Sequence, residues 1–430
     1  MSLKQSLKSI AESSPYGIGS KLALVPFSIR LGSQYLAFKK QINNGIEPEP
    51  YIIKHFSEIF GYAKNKFPFY KELYKSAGVY DLKIKNIQDI QKLPIITKED
   101  IREHSSQFKG AMRLNTGGTS GEPFNFFVDK HAFAREWAHM HTIWEIKGYK
   151  YRDLKITLRG KNLGEKSWQY NPVHNEFIIN TYTNASRIRK DILQLFQKHD
   201  IKYIHGYPSA IYNFFQELYS VVTEEEKAII TKNIKACFLG SEFPTPQITE
   251  CLESRWGLDY ISWYGHSEMC ILAYDEFKKN EYKPFMTYGY AEAVENRLIG
   301  TSFHNFDMPL IRYDTGDLVN PSFDKYGLLS NFKITQGRKG DYILDRHSKA
   351  IPLTALIFGR HHKVFDYARF VQVQQSEPGK LTFFVTTNEQ DCQKIFQDID
   401  MSNVDIEYNI RILSEPIKTA SGKVNLKIQS

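Results

Sequence analysis

The residues best suited to phosphate chemistry occupy one short segment, residues 116–121, which combines three glycines with three hydroxyl side chains. Such a loop can point its backbone N–H groups at a phosphate chain without obstruction by side chains. A Walker A loop would place a lysine directly after its last glycine, but Glu122 and Pro123 follow here. The pattern predicts a phosphate loop of another type, with an ordinary Gly/Thr turn as the alternative. The six residues are Thr116, Gly117, Gly118, Thr119, Ser120 and Gly121.

A second chemical cluster follows the apolar run 260–263, which predicts a buried strand. The next five residues are Tyr264, Gly265, His266, Ser267 and Glu268. Ligands of open α/β sheets bind beyond the carboxyl ends of the strands, and Mg²⁺ on a nucleotide takes carboxylate oxygens. Glu268 is therefore a candidate magnesium ligand, and a solvated loop carboxylate is the alternative. His266 suits a pocket wall and a structural role equally well, so we do not assign it as a base.

Three charged residues further along the chain suit a ribose, a phosphate or a carboxylate. Asp317 can accept two hydrogen bonds from a ribose diol. Arg338, twenty-one residues later, is a forked donor for ribose or phosphate oxygens. Each of these two lies in a motif that is also typical of a turn with surface charges. Lys423 ends the motif Thr-Ala-Ser-Gly-Lys close to the last residue of the sequence, where a basic flexible tail is the simpler interpretation.

Alternating strands and helices must position these residues. Between residues 114 and 338, short apolar runs alternate with helical patterns, and this alternation predicts a parallel, buried sheet. The runs are 201–204, 236–239 and 260–263, and the helical patterns are 210–219 and 246–256. After residue 337 the pattern changes to a small α+β domain. Its predicted elements are strands at 370–374 and 381–386, joined by a Pro-Gly turn, and a helix near 391–398.

Helical patterns come before the α/β region. Ile53, Phe56 and Phe60 recur at helical spacing, and the predicted helix halts near Pro68. Thr97 and Asp100 have the spacing of a capped helix start. Residues 1–50 form a basic, amphipathic arm whose one clear element is a helix around residues 33–41. A surface arm is the simpler interpretation, and weak peripheral contact with a membrane is the alternative.

Composition limits the class of protein. The 430 residues include 42% hydrophobic and 24% charged residues, which is typical of a soluble globular protein and excludes disorder, collagen and disulfide scaffolds. A formal charge of +8 without a Lys/Arg block predicts no nucleic-acid binding. It favours a pocket for a polyanionic small ligand or a weak preference for anionic membranes. Four cysteines without CxxC spacing, no signal peptide and no spanning apolar segment predict a cytoplasmic protein without structural zinc.

The order of the motifs resembles that of the adenylate-forming enzymes, which include acyl-CoA synthetases, peptide-synthetase adenylation domains and luciferases. Within this superfamily the chain resembles phenylacetate–coenzyme A ligases and their relatives from capsular-polysaccharide gene clusters. The similar segments are Phe-Pro-Phe-Tyr at 67–70, Leu-Pro-Ile-Ile-Thr-Lys at 93–98, His-Gly-Tyr-Pro-Ser at 205–209 and Pro-Leu-Ile-Arg-Tyr at 309–313. The resemblance covers roughly residues 50–430 and leaves the N-terminal arm outside.

The resemblance implies an α/β fold with a large N-terminal adenylate-forming domain, rich in parallel sheet, and a small mobile α+β C-terminal domain. The expected boundaries are residues 1–50 for the arm, 51–338 for the large ATP- and acid-binding domain and 339–430 for the lid that carries the catalytic lysine. The expected hinge consists of Lys339, Gly340 and Asp341. Many relatives carry Asp or Lys where Gly340 stands, although glycine absorbs backbone rotation at little cost.

The resemblance also implies residue roles. ATP and Mg²⁺ are the expected cofactors, and the sequence lacks the cysteine- and histidine-bearing insert that would indicate zinc. The glycine-rich loop would hold the β- and γ-phosphates, and Glu268 would serve Mg²⁺. Asp317 and Arg338 would hold the ribose, and Lys423 would reach both the substrate carboxylate and the α-phosphate. Residues expected along adenine are Gly240, Ser241, Glu242, Tyr264 and Gly265, and those expected around the acid are Tyr207, Phe243, Trp263 and His266.

The expected activity is the conversion of a carboxylic acid and MgATP to an acyl-AMP and pyrophosphate, followed by acyl transfer. The acceptor is a thiol such as coenzyme A or, alternatively, an amine of a sugar or amino acid. An amine must lose a proton before it attacks, and no base stands out in the sequence, which favours the thiol. Two other classes stay open: a phosphotransferase that releases ADP, and a non-catalytic nucleotide-binding or membrane-associated assembly protein.

Overall fold

The computed structural model describes residues 16–117, 123–161, 163–183, 185–335, 342–353, 356–357, 360, 362–368, 370–389, 391–417 and 426–428. Several residues with expected roles lie outside these ranges. They are Gly118, Thr119, Ser120 and Gly121 of the glycine-rich loop, Arg338, the expected hinge residues Lys339, Gly340 and Asp341, and the expected catalytic Lys423.

Helices dominate the first hundred described residues and then alternate with strands. The described α-helices are α1 (Tyr16–Leu22), α2 (Phe27–Leu31), α3 (Ser33–Asn43), α4 (Pro48–Lys66), α5 (Pro68–Ser76), α6 (Ile87–Gln91), α7 (Lys98–Glu103), α8 (Ala132–Glu145), α9 (Ala185–Lys198), α10 (Pro208–Tyr219), α11 (Glu224–Thr231), α12 (Pro246–Glu250) and α13 (Cys392–Asp398). Short 3₁₀ segments span Ser105–Gln107 and Lys363–Asp366.

The strands fall into separate sheets along the chain. They are β1 (Met112–Gly117), β2 (Pro123–Val128), β3 (Leu154–Leu158), β4 (Trp168–Asn171), β5 (Glu176–Ile179), β6 (Ile201–Gly206), β7 (Ala236–Leu239), β8 (Tyr260–Gly265), β9 (Leu272–Asp275), β10 (Lys283–Pro284), β11 (Gly289–Val294), β12 (Arg297–Ser302), β13 (Tyr313–Phe323), β14 (Leu329–Ile334), β15 (Tyr342–Leu344), β16 (Ala350–Pro352), β17 (Phe370–Glu377), β18 (Lys380–Thr386) and β19 (Glu407–Leu413).

The central sheet has eight strands in the order β10-β9-β8-β7-β6-β3-β5-β4. Its five middle strands, from β8 to β5, run parallel, and antiparallel strands close both edges. The middle strands are almost entirely buried. This confirms the parallel, buried sheet predicted from the alternating apolar runs, because a strand covered by helices on both faces needs apolar residues at nearly every position.

In the described part of the chain, four further sheets lie outside the central sheet, and two of them are the antiparallel pairs β1-β2 and β15-β16. Strands β11 to β14 form an antiparallel sheet, which the sequence patterns did not predict. Near the C-terminus, β17 and β18 pair antiparallel as predicted, and β19 joins them as a parallel third strand that was not predicted. The helical pattern at 246–256 is α12 followed by a π-helical segment, Cys251–Arg255, rather than one α-helix.

Local sequence explains where the first helices begin and end. Pro68 lacks a backbone N–H and cannot continue a helix, so α4 ends at Lys66 and α5 begins with this proline in its first turn. At the start of α7, Thr97 accepts a hydrogen bond from the backbone of Asp100, and the Asp100 carboxylate accepts one from the backbone of Thr97. The capped start predicted from these two residues is therefore confirmed.

Three of the segments that carry the family resemblance pack against one another. The phenol of Tyr70 donates to the carbonyl of Pro309 over 2.6 Å. The guanidinium of Arg312 donates to the carbonyl of Gln91 over 2.9 Å and forms a buried ion pair with Glu292 over 3.2 Å. The backbone of Arg312 accepts a hydrogen bond from Ile96. These motif residues hold the N-terminal helices to the β11–β14 sheet and thereby position α7, whose first residue faces the site described below.

The described part of the N-terminal arm packs against helix α8. Phe27, Tyr35 and Phe38 form a buried cluster with alanines of α8, and the helix expected around residues 33–41 is confirmed as α3. The Arg30 guanidinium donates to the backbone of Ala23, Val25 and Val173 and so fixes the turn before α2. Within the described ranges, no helix is long and apolar enough to cross a membrane.

Candidate active site

Four neighbouring parallel strands, β3, β6, β7 and β8, end at the same edge of the central sheet. Arg159, His205, Ser241 and His266 lie at or just beyond these ends, and all four line one cavity of about 360 Å³. This edge is where an open α/β sheet binds its ligand, because no side-chain layer covers the strand ends. The cavity is therefore the candidate active site.

The cavity combines aromatic walls with charged groups. Its aromatic lining residues are Phe133, Trp137, Trp144, Tyr207, Trp263 and Tyr288. Its acidic lining residues are Glu136, Glu268 and Asp317, and its basic ones include Lys98 and Arg159 together with two histidines. Such walls can bury an organic group while fixing its polar atoms by hydrogen bonds.

A smaller crevice adjoins the cavity and shares Trp263, His266 and Asp317 with it. The Tyr264 phenol donates to Oδ2 of Asp317 over 2.7 Å, and the Tyr264 ring packs edge-on against Phe332 with centroids 5.3 Å apart. The hydrogen bond joins strand β8 to strand β13 and fixes the orientation of the Asp317 carboxylate. The crevice contains most of the residues expected around adenine and ribose, namely Ser241, Glu242, Tyr264, Gly265 and Asp317.

Gly240, also expected along adenine, lies against the indole of Trp263. A Cβ atom at this position would lie 2.1 Å from Cζ2 of Trp263, which is impossible without movement of the indole. Glycine is therefore required here by packing. Its effect on the site is indirect, since it allows Trp263 to form a wall shared by the crevice and the cavity.

Ser241 directly follows and adopts a left-handed backbone conformation with φ of 70°. A residue with a Cβ atom is strained in this region, and such strain persists mainly where the surroundings hold it. The Arg159 guanidinium donates to Oγ of Ser241 over 3.4 Å. The strained turn and this bond bring the ends of β3 and β7 together at the mouth of the crevice.

Glu242 is buried and accepts a hydrogen bond at Oε2 from the backbone of Ser209 over 2.9 Å. This N–H lies in the first turn of α10, where the helix dipole favours a negative charge. The other oxygen, Oε1, has no hydrogen-bond partner among the described residues. The structure thus places Glu242 both on the crevice and at the start of α10, which begins within the motif at 205–209.

Glu268 is held by two neighbours deep in the cavity. Nδ1 of His266 donates to Oε2 over 3.2 Å, and the phenol of Tyr313 donates to Oε1 over 3.4 Å. Burial alone would raise the pKa of Glu268, but the hydrogen bond from His266 and the positive charges of His266 and Lys98 lower this pKa to about 2. Glu268 is therefore an ionised carboxylate at neutral pH.

The structure divides the four residues expected around the acid. Tyr207, Trp263 and His266 line the larger cavity, whereas Phe243 lines the crevice. The Arg159 guanidinium lies over the Tyr207 ring, 5.2 Å from its centroid. Nε2 of His266 is buried and has no hydrogen-bond partner in the described part of the chain, so it is available to form a hydrogen bond with a ligand group in this cavity.

Four charged or titratable lining residues were not predicted: Lys98, Glu136, Arg159 and His205. Arg159 directly follows β3, so the rule that ligands bind at strand ends would have found it had β3 been identified. His205 lies at the end of the predicted strand β6 and in a quoted motif, although no role was derived for it. Lys98 lies in a quoted motif, although no role was derived for it. Glu136 lies within helix α8, and no sequence signal separates it from a solvated helix position.

The described residues contain no group of three or more His, Cys, Asp or Glu side chains that could hold a metal ion. Mg²⁺ does not require such a cage, because it is commonly held by one or two carboxylates together with substrate phosphates and water. An ionised Glu268 on the cavity wall fits that manner of binding.

Comparison with solved structures identifies proteins with a similar fold. An open conformation of 2-hydroxyisobutyryl-CoA ligase, solved with 2-HIB-AMP and CoA, aligns with a TM-score of 0.50 and 15% identity over 88% of this chain and 91% of that one. The chain has the fold of that ligase. The expected α/β fold class is thereby confirmed, and identity at this level is informative about the fold alone.

Two further structures are similar. The same ligase in its thioesterification state, with 2-HIB-AMP and CoA, aligns with a TM-score of 0.50 and 15% identity over 87% of this chain and 88% of that one. The acyl acid amido synthetase GH3.15 aligns with a TM-score of 0.44 and 12% identity over 88% of this chain and 91% of that one. No protein-family model and no curated protein matches the sequence.

Proposed function

We propose that the protein is an AMP-forming carboxylate ligase that adenylates a carboxylic acid and transfers the acyl group to a thiol such as coenzyme A. The observation that carries this proposal is the convergence of two hydrogen-bonded pairs, Tyr264–Asp317 and His266–Glu268, on one connected cavity at the ends of the parallel strands. The fold shared with 2-hydroxyisobutyryl-CoA ligase supports it.

The crevice is the proposed site for the nucleoside. Asp317, oriented by the Tyr264 phenol, accepts hydrogen bonds from the ribose diol. The Tyr264 ring and the backbone of residues 240–242 lie along adenine. Thr116 and Gly117, at the end of β1, begin the loop that holds the phosphates. Arg338, outside the described residues, is the proposed second ribose contact.

Glu268 is the proposed magnesium ligand. Mg²⁺ supplies charge that neutralises the phosphate oxygens and favours departure of pyrophosphate. His266 and Tyr313 hold the carboxylate in place and leave it ionised. Because Glu268 is buried, its attraction for a bound cation is stronger than in water.

The proposed reaction has two steps. An oxygen of the substrate carboxylate bonds to the α-phosphorus, and the bond between this phosphorus and the bridging oxygen to the β-phosphate breaks, releasing pyrophosphate. The thiolate of the acceptor then bonds to the carbonyl carbon, and AMP leaves. Lys423 is the proposed cation between the two anions of the first step. We propose that it is carried by a mobile domain, residues 339–430, which turns about residues 339–341 relative to residues 51–338.

Nucleotide product analysis tests the proposed function. Purified protein is mixed with MgATP, pools of carboxylic acids and hydroxylamine as a general acceptor, with and without coenzyme A. We expect AMP and pyrophosphate in equal amounts with at least one pool, and additional turnover with coenzyme A. Turnover stimulated by amino sugars or amino acids instead would assign the amide-forming alternative. ADP would indicate a phosphotransferase, and ATP binding without turnover in every pool would indicate a protein that only binds.

We also propose weak peripheral contact between the N-terminal arm and an anionic membrane surface. Residues 1–45 contain six Lys or Arg and one Glu, so their net charge of +5 is more than half of the chain's +8. Within the same arm, Ile18, Leu24 and Ile29 expose more than half of their side chains. Basic charge beside exposed apolar groups is the combination that binds anionic lipid surfaces.

A further inference from the structure

Glu136 lines the larger cavity, where the carboxylic acid is proposed to bind, and bears on which acids bind there. This inference rests on the proposed function. Because the residue lies on helix α8 and lines the cavity, it faces the group that the cavity encloses. We infer that the carboxylic acid carries a hydrogen-bond-donating group, a hydroxyl or an ammonium, away from its reacting carboxylate, and that Glu136 accepts the hydrogen bond from it. Tyr288 is the positioning residue for this contact.

The side chain of Glu136 has one hydrogen bond and no ion pair within the described ranges. Its Oε2 accepts from the phenol of Tyr288 over 2.5 Å. Oε1 has no protein partner in that part of the chain, although cationic side chains also line the cavity. A carboxylate accepts several hydrogen bonds when ionised, so most of its accepting capacity faces the cavity rather than the protein.

The surroundings of Tyr288 make Glu136 a fixed acceptor rather than a mobile one. Tyr288 is buried, and its ring packs edge-on against His139 with centroids 5.1 Å apart. His139 in turn is hydrogen-bonded to Thr287 over 2.8 Å and to the carbonyl of Arg135 over 2.8 Å. Because Tyr288 is held in this way, Glu136 keeps its position when the cavity is filled, as recognition of a specific substrate atom requires.

The loss of water from Glu136 on substrate binding favours a substrate that donates a hydrogen bond to it. Burial raises the pKa of Glu136, an effect that the Tyr288 hydrogen bond and nearby positive charges only partly offset. An acid with a purely apolar body would remove the remaining water from this carboxylate and offer no hydrogen bond in exchange, which is unfavourable. A donor on the acid replaces the lost water. The reacting carboxylate itself is excluded as the partner, since two carboxylates repel.

The cavity wall at the strand ends, formed in part by Arg159 and His205, has polar groups of its own. Nε of Arg159 and Nδ1 of His205 are buried and have no hydrogen-bond partner among the described residues. These groups lie at the strand ends, whereas Glu136 lies on the helix that covers the sheet. A substrate with donor and acceptor atoms on its body can satisfy both walls, which a hydrocarbon acid cannot. A site of this kind discriminates mainly by rejecting analogues that leave its polar groups unpaired.

The experiment compares matched acids in the pyrophosphate-release assay. The pairs are para-hydroxyphenylacetate with phenylacetate, β-hydroxybutyrate with butyrate, and β-alanine with propionate, added to the acids from any active pool. We expect the active acids to carry a donor and to exceed their donor-free partners by at least about tenfold in kcat/KM. Active acids that are donor-free, with no preference inside the pairs, would overturn the inference and leave the proposed function standing. Absence of AMP from all acids and pools would instead count against the proposed function.

Variants identify the residue responsible. Glu136→Leu should abolish the preference for the donor-bearing acid by raising its KM. Glu136→Gln should keep a preference for a hydroxyl and lose one for an ammonium, which separates the two sources of the donor. Tyr288→Phe should weaken the preference without abolishing it. Glu145→Gln, on the same helix but paired with Lys39, is the matched control. An unchanged preference in a folded Glu136→Leu variant would overturn the assignment.

Discussion

Glu268 reaches its ionised state through protein neighbours rather than through water. His266 and Tyr313 each donate to one of its oxygens, and the favourable interactions outweigh the cost of burial. Asp317 is prepared in a similar way by the Tyr264 phenol. At the scale of single residues, the orientations of these two acceptors are therefore set before a ligand binds, which in the proposed function is a condition for electrostatic catalysis.

The first prediction concerns the charge of Glu268. Glu268→Gln keeps the shape of the side chain and removes its charge, so we expect kcat to fall by about 100-fold and the MgCl₂ concentration for half-maximal rate to rise. Because the pKa of Glu268 is lowered to about 2, protonation of this residue produces no step in the wild-type pH profile near neutrality. The stability that the ionised Glu268 contributes is fully present above its unfolded-state pKa. It is lost as the pH falls below the unfolded-state pKa toward the folded-state value of about 2.

Titrating MgCl₂ in the pyrophosphate-release assay measures this effect. Glu281→Gln is the control, since Glu281 forms an exposed ion pair with Lys333 outside the cavity. An unchanged magnesium requirement in Glu268→Gln would remove this residue from the proposed metal site.

At the scale of elements, strands β7 and β8 form the site by close approach at their ends. Trp263 on β8 lies over the backbone at Gly240, just beyond β7, and this contact allows the indole to separate the crevice from the cavity. Helix α8 covers the same region and supplies Glu136, Trp137 and Trp144. Small changes at these contacts should therefore alter binding without touching a charged group.

Substitution of Gly240 tests that contact. Gly240→Ala places a methyl group within the volume of the indole, so we expect a loss of about 1–3 kcal/mol in unfolding free energy and a higher KM for both ATP and the acid. Gly61→Ala is the matched control, because Gly61 lies inside helix α4 and a methyl group there would meet nothing within 4 Å beyond the helix's own backbone. It should stabilise the protein by up to about 1 kcal/mol. Equal melting temperatures for the two variants would contradict this account of Gly240.

The pH dependence of stability tests the packing of helix α8. Burial lowers the pKa of His139 to about 3, whereas an unfolded histidine has a pKa of about 6.5. Below about 6.5 the unfolded chain binds a proton that the folded chain does not, so His139 alone should reduce stability by up to about 1.4 kcal/mol per pH unit as the pH falls. Denaturant unfolding at several pH values should show a shallower loss for His139→Gln than for the wild type. The exposed His347 supplies the control substitution, and equal slopes would refute the prediction.

At the scale of the whole molecule, the sequence predicted three of the five parallel strands, β6, β7 and β8, because each is a short apolar run bounded by turns. Strands β3 and β5 were not predicted. The residues at the end of β8 were identified because the strand before them was predicted. The contact between Tyr264 and Asp317 was not predictable, because about fifty residues separate the two and no local pattern encodes their approach. The β11–β14 sheet was missed, since β11 and β12 are buried at most positions and show no alternation, while β13 is partly exposed in an irregular order. Glu136 was missed because a single carboxylate on an amphipathic helix carries no mark of the face it occupies.

The N-terminal arm gives a prediction about binding to anionic membranes. The chain should sediment with vesicles that contain phosphatidylglycerol and much less with phosphatidylcholine vesicles, and added salt should release it because the attraction is partly electrostatic. Ile29→Asp should weaken sedimentation severalfold. Phe277→Asp is the matched control, since Phe277 and Ile29 are each 71% exposed and Phe277 lies outside the arm. Binding that is equal for both lipid compositions, or equal loss in both variants, would contradict the proposed membrane contact.

The most direct test of the central claim follows the oxygen atoms of the acid. An active acid labelled with oxygen-18 in its carboxylate is turned over with MgATP and the acceptor, and the products are examined by mass spectrometry. If the carboxylate attacks the α-phosphorus, one labelled oxygen must remain on AMP when the acyl group leaves, and pyrophosphate must stay unlabelled. We predict this outcome. Label in inorganic phosphate with ADP as the nucleotide product would show attack on the γ-phosphorus and contradict the account.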